Sequence, residues 1–79
     1  MKQLTLDCRD GMSALHDLLA RELDFPQWYG QNLDALYDCL TERSEPAELT
    51  LLWPEMLPGL VQVLNDAAEE NPALQVILT

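Results

Sequence analysis

The 79-residue chain has few basic residues, few glycines and no long apolar run. Four Lys and Arg stand against fourteen Asp and Glu, so the formal net charge is -10. That charge argues against nucleic acid and anionic membranes as partners, because phosphates would be repelled. The three glycines have no nucleotide-binding spacing, and no run of about 18 apolar residues or signal-peptide core occurs. We therefore expect a cytosolic protein with a basic protein partner.

Cysteine and histidine are also scarce. Cys8 and Cys39 lack metal-ligand spacing, and without a secretory signal we interpret both as reduced thiols that act as small hydrophobes. His16 lies near no Ser or Cys nucleophile motif, so an exposed helix histidine is favoured over a catalytic base. The carboxylates form no EF-hand-like loop. The sequence therefore predicts no catalytic residues, no metal and no cofactor.

The apolar pattern predicts a single α/β domain over residues 1–79, because the chain is too short for two cores. Short apolar or alternating runs predict strands at 2–7, 48–53 and 74–79. The segment "WPEMLPG", residues 53–59, contains two prolines and is expected to be a loop or a single turn.

Three helices are predicted between these strands. Apolar residues recur on one face from Met12 to Leu23, again after Asn32, and again from Leu60 until Asn71 and Pro72 end the pattern. The element order is therefore β-α-α-β-α-β. Helical crossovers favour parallel strand pairing, so we expect a three-stranded parallel β-sheet with helices packed on it.

The second predicted helix places two like charges one turn apart. Asn32 is a good N-cap, and Asp34 in the first turn is stabilised by the helix dipole by roughly 0.3 to 1 kcal/mol. Asp38 lies beyond the reach of the dipole and beside Asp34, and repulsion between them costs a few tenths of a kcal/mol. Tyr37 falls between the apolar stripe and these carboxylates. One edge of this helix is therefore predicted to be aromatic and acidic.

The third predicted helix carries carboxylates where they oppose its dipole. Asp66, Glu69 and Glu70 lie in its last turns. Asp66 and Glu70 are four positions apart and therefore share a face of the helix. Acidity that only keeps a small protein soluble does not require this placement. A solubilising role and a binding role for these charges both stay open on composition alone.

Two large aromatics precede the second helix. Trp28 and Tyr29 lie on a predicted loop between Pro26 and Gly30. Such residues either cover a core or anchor an interface, and interfaces are enriched in them. The residues themselves leave both interpretations open.

The segment "FPQWYGQNLDALYDCL", residues 25–40, resembles the signature of the barstar family of ribonuclease inhibitors. That signature has Pro, paired aromatics and Gly, then Asn-Leu-Asp-x-Leu, an aromatic, Asp and Cys-Leu. It is matched by Pro26, Trp28, Tyr29, Gly30, Asn32, Leu33, Asp34, Leu36, Tyr37, Asp38, Cys39 and Leu40. The first strand and first helix before this segment, and the acidic third helix and the terminal "VILT" strand after it, extend the resemblance over the whole chain. The resemblance implies the same parallel sheet.

The resemblance implies that the loop and the second helix occupy the active site of a ribonuclease. Asp38 matches an aspartate in the phosphate-binding pocket, and Asp34 one that meets a neighbouring basic side chain. Trp28 matches an aromatic on the catalytic histidine, and Tyr37 an interface tryptophan. The full set of partner-binding residues predicted in this way is Trp28, Tyr29, Gly30, Asn32, Leu33, Asp34, Tyr37, Asp38, Glu42, Arg43, Asp66 and Glu70.

The chain departs from the family pattern at several positions. Trp28 stands where the best-known member of the family has Tyr, and Tyr37 where it has Trp. Glu42 and Arg43 replace a glycine and a tryptophan. Residues are also missing around "WPEMLPG", so the short helix of the family should be reduced there. The expected function is inhibition of a basic barnase-like ribonuclease by occlusion of its active site. The alternatives are a module that binds a basic protein other than a nuclease and, more distantly, an acid/base enzyme using Asp34 and Asp38.

Overall fold

The computed structural model describes residues 1–79 as three strands and three α-helices. The strands are β1 (Lys2–Asp7), β2 (Ala47–Leu52) and β3 (Leu74–Leu78), and the helices are α1 (Met12–Glu22), α2 (Leu33–Thr41) and α3 (Pro58–Glu70). Single 3-10 turns at Cys8–Asp10 and Pro54–Met56 precede α1 and α3. The predicted element order and the single turn within residues 53–59 are confirmed.

All strands of the sheet are parallel, with β2 between β1 and β3. Leu4 pairs with Leu49 and Leu6 with Leu51, so apolar residues of neighbouring strands lie side by side. The predicted three-stranded parallel sheet is confirmed. Because β1 and β3 each reach β2 through helices, the connections can cover a face of the sheet.

The helices pack on one face of this sheet. Along β2, Ala47, Leu49 and Leu51 are buried, and the residues between them are only half-buried. Leucines of α1, α2 and α3 join these residues in one cluster of 14 buried side chains. Each fully buried leucine stabilises the fold by roughly 1.5 to 3 kcal/mol, so this layer contact orients the helices.

The helix ends agree with the local chemistry. Gly11 precedes α1 with a φ of 92°, a conformation that glycine adopts without strain. The chain leaves α1 through Asp24, also at positive φ, and the Phe25 amide donates to the Ala20 carbonyl at 3.0 Å, as in a Schellman motif. Pro58 occupies the first turn of α3.

Asn71 ends α3 as predicted and also joins two helices. Its buried Nδ2 donates to the carbonyl oxygens of Leu40 at 2.8 Å and Arg43 at 2.7 Å. Its Oδ1 accepts from the Ala73 amide at 3.0 Å. The C-terminal ends of α2 and α3 are therefore held together beside the start of β2. None of the helices has the length and apolar character needed to cross a membrane.

Candidate functional site: an acidic and aromatic face

The N-terminus of α2 is built as the sequence predicts. Asn32 Oδ1 accepts from the Ala35 amide at 2.8 Å, which confirms the predicted cap. A Cβ on Gly30 would lie 3.1 Å from Asn32 Nδ2, so the absence of a side chain at residue 30 leaves room for the cap. Leu33 packs half-buried against the core, and Asp34 is exposed in the first turn. The cap therefore fixes the direction in which α2 leaves the loop.

Carboxylates of α2 and α3 converge around Tyr37. Asp38 and Glu70 are exposed, and Asp66 is half-buried and accepts from Gln62 Nε2 at 3.0 Å. The pKa of the Tyr37 hydroxyl is raised, mainly by desolvation and further by the negative charges of Glu70, Asp66 and Asp38. The two helices pack against each other, so predicted site residues separated by about 30 positions in the chain share one surface. We call this surface, with Asp34 and Trp28, the acidic face.

The two loop aromatics have separate positions. Trp28 is 61% exposed, whereas Tyr29 is half-buried and packs edge-on against Phe25 with ring centroids 4.9 Å apart. Burial raises the pKa of Tyr29 to about 12, so its hydroxyl stays protonated at neutral pH. Tyr29 therefore covers the core, and Trp28 is free to contact a partner.

His16 is buried, contrary to the sequence-based expectation of an exposed histidine. It is 4% exposed, and its Nδ1 is hydrogen-bonded to the Tyr29 hydroxyl. Burial lowers the pKa of His16, against a smaller opposing effect of Asp17. A signal was present in the sequence, since His16 lies one turn after Met12 and next to Leu15 on the apolar stripe. The loop that covers it begins nine residues further on.

A second contact also holds this loop to α1. Gln31 Nε2 donates to Oδ1 of Asp17, which follows His16 in the chain. Sequence reasoning did not identify His16, Asp17 or Gln31 as residues that position the loop. Both contacts join residues at least 13 positions apart, so no local sequence pattern predicts them.

Glu42 and Arg43, at the end of α2, differ in solvent exposure. Glu42 is exposed, whereas the Arg43 side chain is 16% exposed. Arg43 Nη1 donates to the Leu23 carbonyl at 3.0 Å, and Nη2 lies 3.8 Å from Glu45 Oε2. Arg43 Nε is buried without a hydrogen-bond partner. This side chain therefore joins the end of α1 to the end of α2.

Both cysteines are free and buried, as predicted. Burial raises the pKa of each thiol, and neighbouring carboxylates add to the effect: Asp7 and Glu55 at Cys8, Glu42 and Asp38 at Cys39. The thiols are therefore protonated near neutral pH, which argues against a nucleophilic role.

The family model described as "Barstar (barnase inhibitor)" matches residues 1–78. The chain belongs to the barstar family. A Bacillus subtilis (strain 168) protein named "Putative ribonuclease inhibitor YrdF" is 54% identical over 43 residues, which are 52% of this chain and 47% of that protein. The match thus spans about half the length of this relative. The three-stranded parallel sheet is consistent with this family, and the matched residues include the signature at residues 25–40.

Proposed function

We propose that this barstar-family chain inhibits a basic, barnase-like ribonuclease by covering its active site with the acidic face. The observation that carries the proposal is the packing of α2 against α3, which brings Asp38, Asp66 and Glu70 to the same surface as Tyr37. Carboxylates on two packed helices, two of them exposed and one half-buried, resemble the spaced phosphates of RNA, for which a ribonuclease has cationic sites. The 61% exposed Trp28 offers the aromatic surface that interfaces favour.

The predicted contact residues of the loop, of α2 before its last turn and of α3 fall into groups with different roles in this proposal. Asp38 pairs with cationic groups in the phosphate pocket, and Asp34 with a basic side chain beside it. Tyr37 supplies half-buried aromatic surface between the two helices. Tyr29, Gly30, Asn32 and Leu33 hold the loop and the first turn of α2 in place. Asp66 and Glu70 add charge at the rim, where it accelerates encounter more than it strengthens binding.

The chain itself performs no chemistry in this mechanism. Inhibition is reversible occlusion in the cytosol, and it requires no metal or cofactor. The net charge of -10 attracts a basic enzyme before contact, and the pairing of charges at the interface orients the two proteins.

The test is inhibition of purified barnase in an RNA-cleavage assay, with the chain titrated against a fixed enzyme concentration. We expect loss of cleavage that saturates at one chain per enzyme, together with a one-to-one complex in calorimetry. Asp38→Ala is the matched negative control, because it removes the proposed phosphate-pocket charge from an exposed position. Unchanged cleavage at saturating chain, for barnase and for other basic microbial ribonucleases, would refute the proposal.

The second candidate is a barstar-fold module that binds a basic protein other than a nuclease. It is favoured by the end of α2, where Glu42 and the inward Arg43 replace family contact residues. A basic partner that is bound at the acidic face and has no nuclease activity would support this candidate.

A further inference from the structure

A cavity of about 330 Å³ lies beside the acidic face, between the loop after α1 and the end of α2. Phe25, Trp28 and Cys39 provide apolar parts of its wall. Trp28 therefore borders both the cavity and the exposed surface on which a partner is proposed to lie. We call this space the α2-end cavity.

Three carboxylates surround the α2-end cavity. Asp24, Glu42 and Glu45 all line it and all are exposed, with the Glu45 side chain 83% exposed. Glu42 and Cys39 both line the cavity, so a carboxylate and part of the apolar wall border the same space. Apolar walls below carboxylates suit a side chain with an apolar stem and a cationic end.

Arg43 also lines the cavity, where its Nη1 and Nη2 have partners within the chain and its buried Nε has no hydrogen-bond partner. Its Nη1 donates to the Leu23 carbonyl, and its side chain is 16% exposed. Of the three surrounding carboxylates, only Glu45 lies within 4 Å of this guanidinium, at 3.8 Å. Three carboxylates against one guanidinium leave a net charge of about -2 around the opening, so the cavity favours a cation.

We propose that the α2-end cavity is a subsite for one arginine or lysine side chain of the basic protein partner. The identification of that partner as a ribonuclease rests on the proposed function, but the chemistry of the subsite does not. Arginine is preferred over lysine, because its planar guanidinium stacks on an indole such as that of Trp28 while its nitrogen atoms reach Glu42 and Glu45.

The subsite can be tested without any nuclease, using N-acetyl-arginine amide as the probe. Titration into the isotope-labelled chain should shift the Trp28 indole resonance and the Arg43 Nε resonance along one saturable curve. N-acetyl-norleucine amide, which has a similar stem and no charge, should produce no saturable shift. Inorganic phosphate serves as the anionic control and should also leave both resonances unchanged.

Charge-neutralising variants locate the site. Glu42→Gln and Glu45→Gln should each weaken probe binding by about two- to fivefold, as expected for a partly exposed charge pair. The matched control is Asp10→Asn, which changes the net charge by the same amount. Asp10 follows the carboxyl end of β1, whereas Glu45 lies just before the amino end of the parallel strand β2, at the other end of the sheet. Equal weakening by all three variants would reduce the effect to long-range attraction and overturn the proposal.

The remaining outcomes also decide the question. No saturable response to the arginine probe, or an equal response to the norleucine probe, would overturn the subsite. A response to phosphate alone would identify Arg43 as an anion ligand and would also overturn it. If the chain inhibits barnase but Glu42→Gln and Glu45→Gln inhibit as well as the unchanged chain, the subsite fails while the proposed function stands.

Discussion

The two helices of the acidic face, α2 and α3, begin in different ways. The first turn of α2 is capped by the Asn32 side chain and carries Asp34. α3 begins at Pro58 with no side-chain cap and no acidic residue in its first turn. The start of α2 is therefore well stabilised by its own residues, whereas α3 depends on packing against α2 and β3.

The carboxylates of these helices also differ in what explains them. Asp34 complements the dipole of α2, so its charge has a local structural reason. Asp38 has no such reason, and Asp66, Glu69 and Glu70 oppose the dipole at the end of α3, which has no basic residue in its last turn. A charge that helix stability does not explain is the better candidate for a binding role.

The two helices differ again in how they are held. The loop before α2 is attached to α1 through the contacts of His16 with Tyr29 and of Asp17 with Gln31. The end of α3 is held by the three hydrogen bonds of the Asn71 side chain. We infer that α2 with its loop forms the principal contact and that α3 adds charge at the rim.

The largest expected effect is that of Asp38→Ala. If Asp38 pairs with a buried cationic cluster, its loss should weaken inhibition by at least about 2 kcal/mol, because the partner's charges are left unpaired. Thermal unfolding should be nearly unchanged. Inhibition constants and melting curves for this variant give both values.

Asp34→Ala provides the contrast within α2. It should lower the stability by roughly 0.3 to 1 kcal/mol through the lost dipole interaction, and it should weaken inhibition less than Asp38→Ala. A reversed order of the two variants in the inhibition assay would contradict the assignment of the central contact to Asp38.

Salt should act on the encounter with a basic ribonuclease. From about 0.01 M to about 1 M salt the Debye length falls from about 30 to about 3 Å, so the association rate should fall about ten- to a hundredfold. The dissociation rate should change less. Stopped-flow mixing measures both rates, and an association rate independent of salt would show that steering by the acidic face is absent.

Acidification should weaken the attachment of the α2 loop to α1. Burial lowers the pKa of His16 in the folded state, so the unfolded chain binds its proton more readily. Stability is therefore fully present above the unfolded pKa of about 6.5 and falls as the pH drops towards the folded value, by at most about 1.4 kcal/mol per pH unit.

Denaturant melts between pH 7.5 and pH 5 measure this dependence. His16→Gln, which cannot titrate, should have a flatter profile in the same range. Asp7 does not disturb this measurement. Hydrogen bonds from Arg9 lower the pKa of Asp7, so its contribution to stability is lost only below the pH range of these melts. Identical slopes for the two chains would remove His16 as the cause.

The smallest effects concern the end of α3. Asp66→Asn and Glu70→Gln should leave stability unchanged or raise it by a few tenths to about 1 kcal/mol, while slowing association with the ribonuclease about two- to fivefold. Glu69→Gln should gain the same stability with little change in binding, because Glu69 is absent from the charges around Tyr37. If all three variants bind as the unchanged chain does, the end of α3 is only a solvated surface.

Most of the fold followed from local patterns. The apolar runs of β1, β2 and β3 and the periodicity of α1 predicted the element order, and Asn32 and Asn71 marked helix ends that the structure confirms. These predictions succeeded because capping chemistry and apolar periodicity act within a few residues. The end of β2 was predicted one residue too far, since Trp53 has a φ of 57° and leaves the strand.

The site was predicted less completely. The signature gave Asp34, Asp38, Trp28 and the other residues of the partner-binding set, which stay predictions. The buried state of His16 and the α2-end cavity were not foreseen. Asp24 and Glu45 carry no recognisable pattern in the chain. They face one cavity only because the end of α1, the following loop and the end of α2 meet there.

The sequence by itself determined the charge of the chain, its element order and its place in the barstar family, since each of these depends on residue types and short spacings. Only the tertiary structure decided that Tyr29 is covered while Trp28 is 61% exposed, and that Arg43 reaches the Leu23 carbonyl instead of the solvent. It also decided that α3 packs against α2, so that the charges of Asp66 and Glu70 act on Tyr37. These outcomes depend on packing between helices far apart in the chain, where the core determines which side chains have room to be buried.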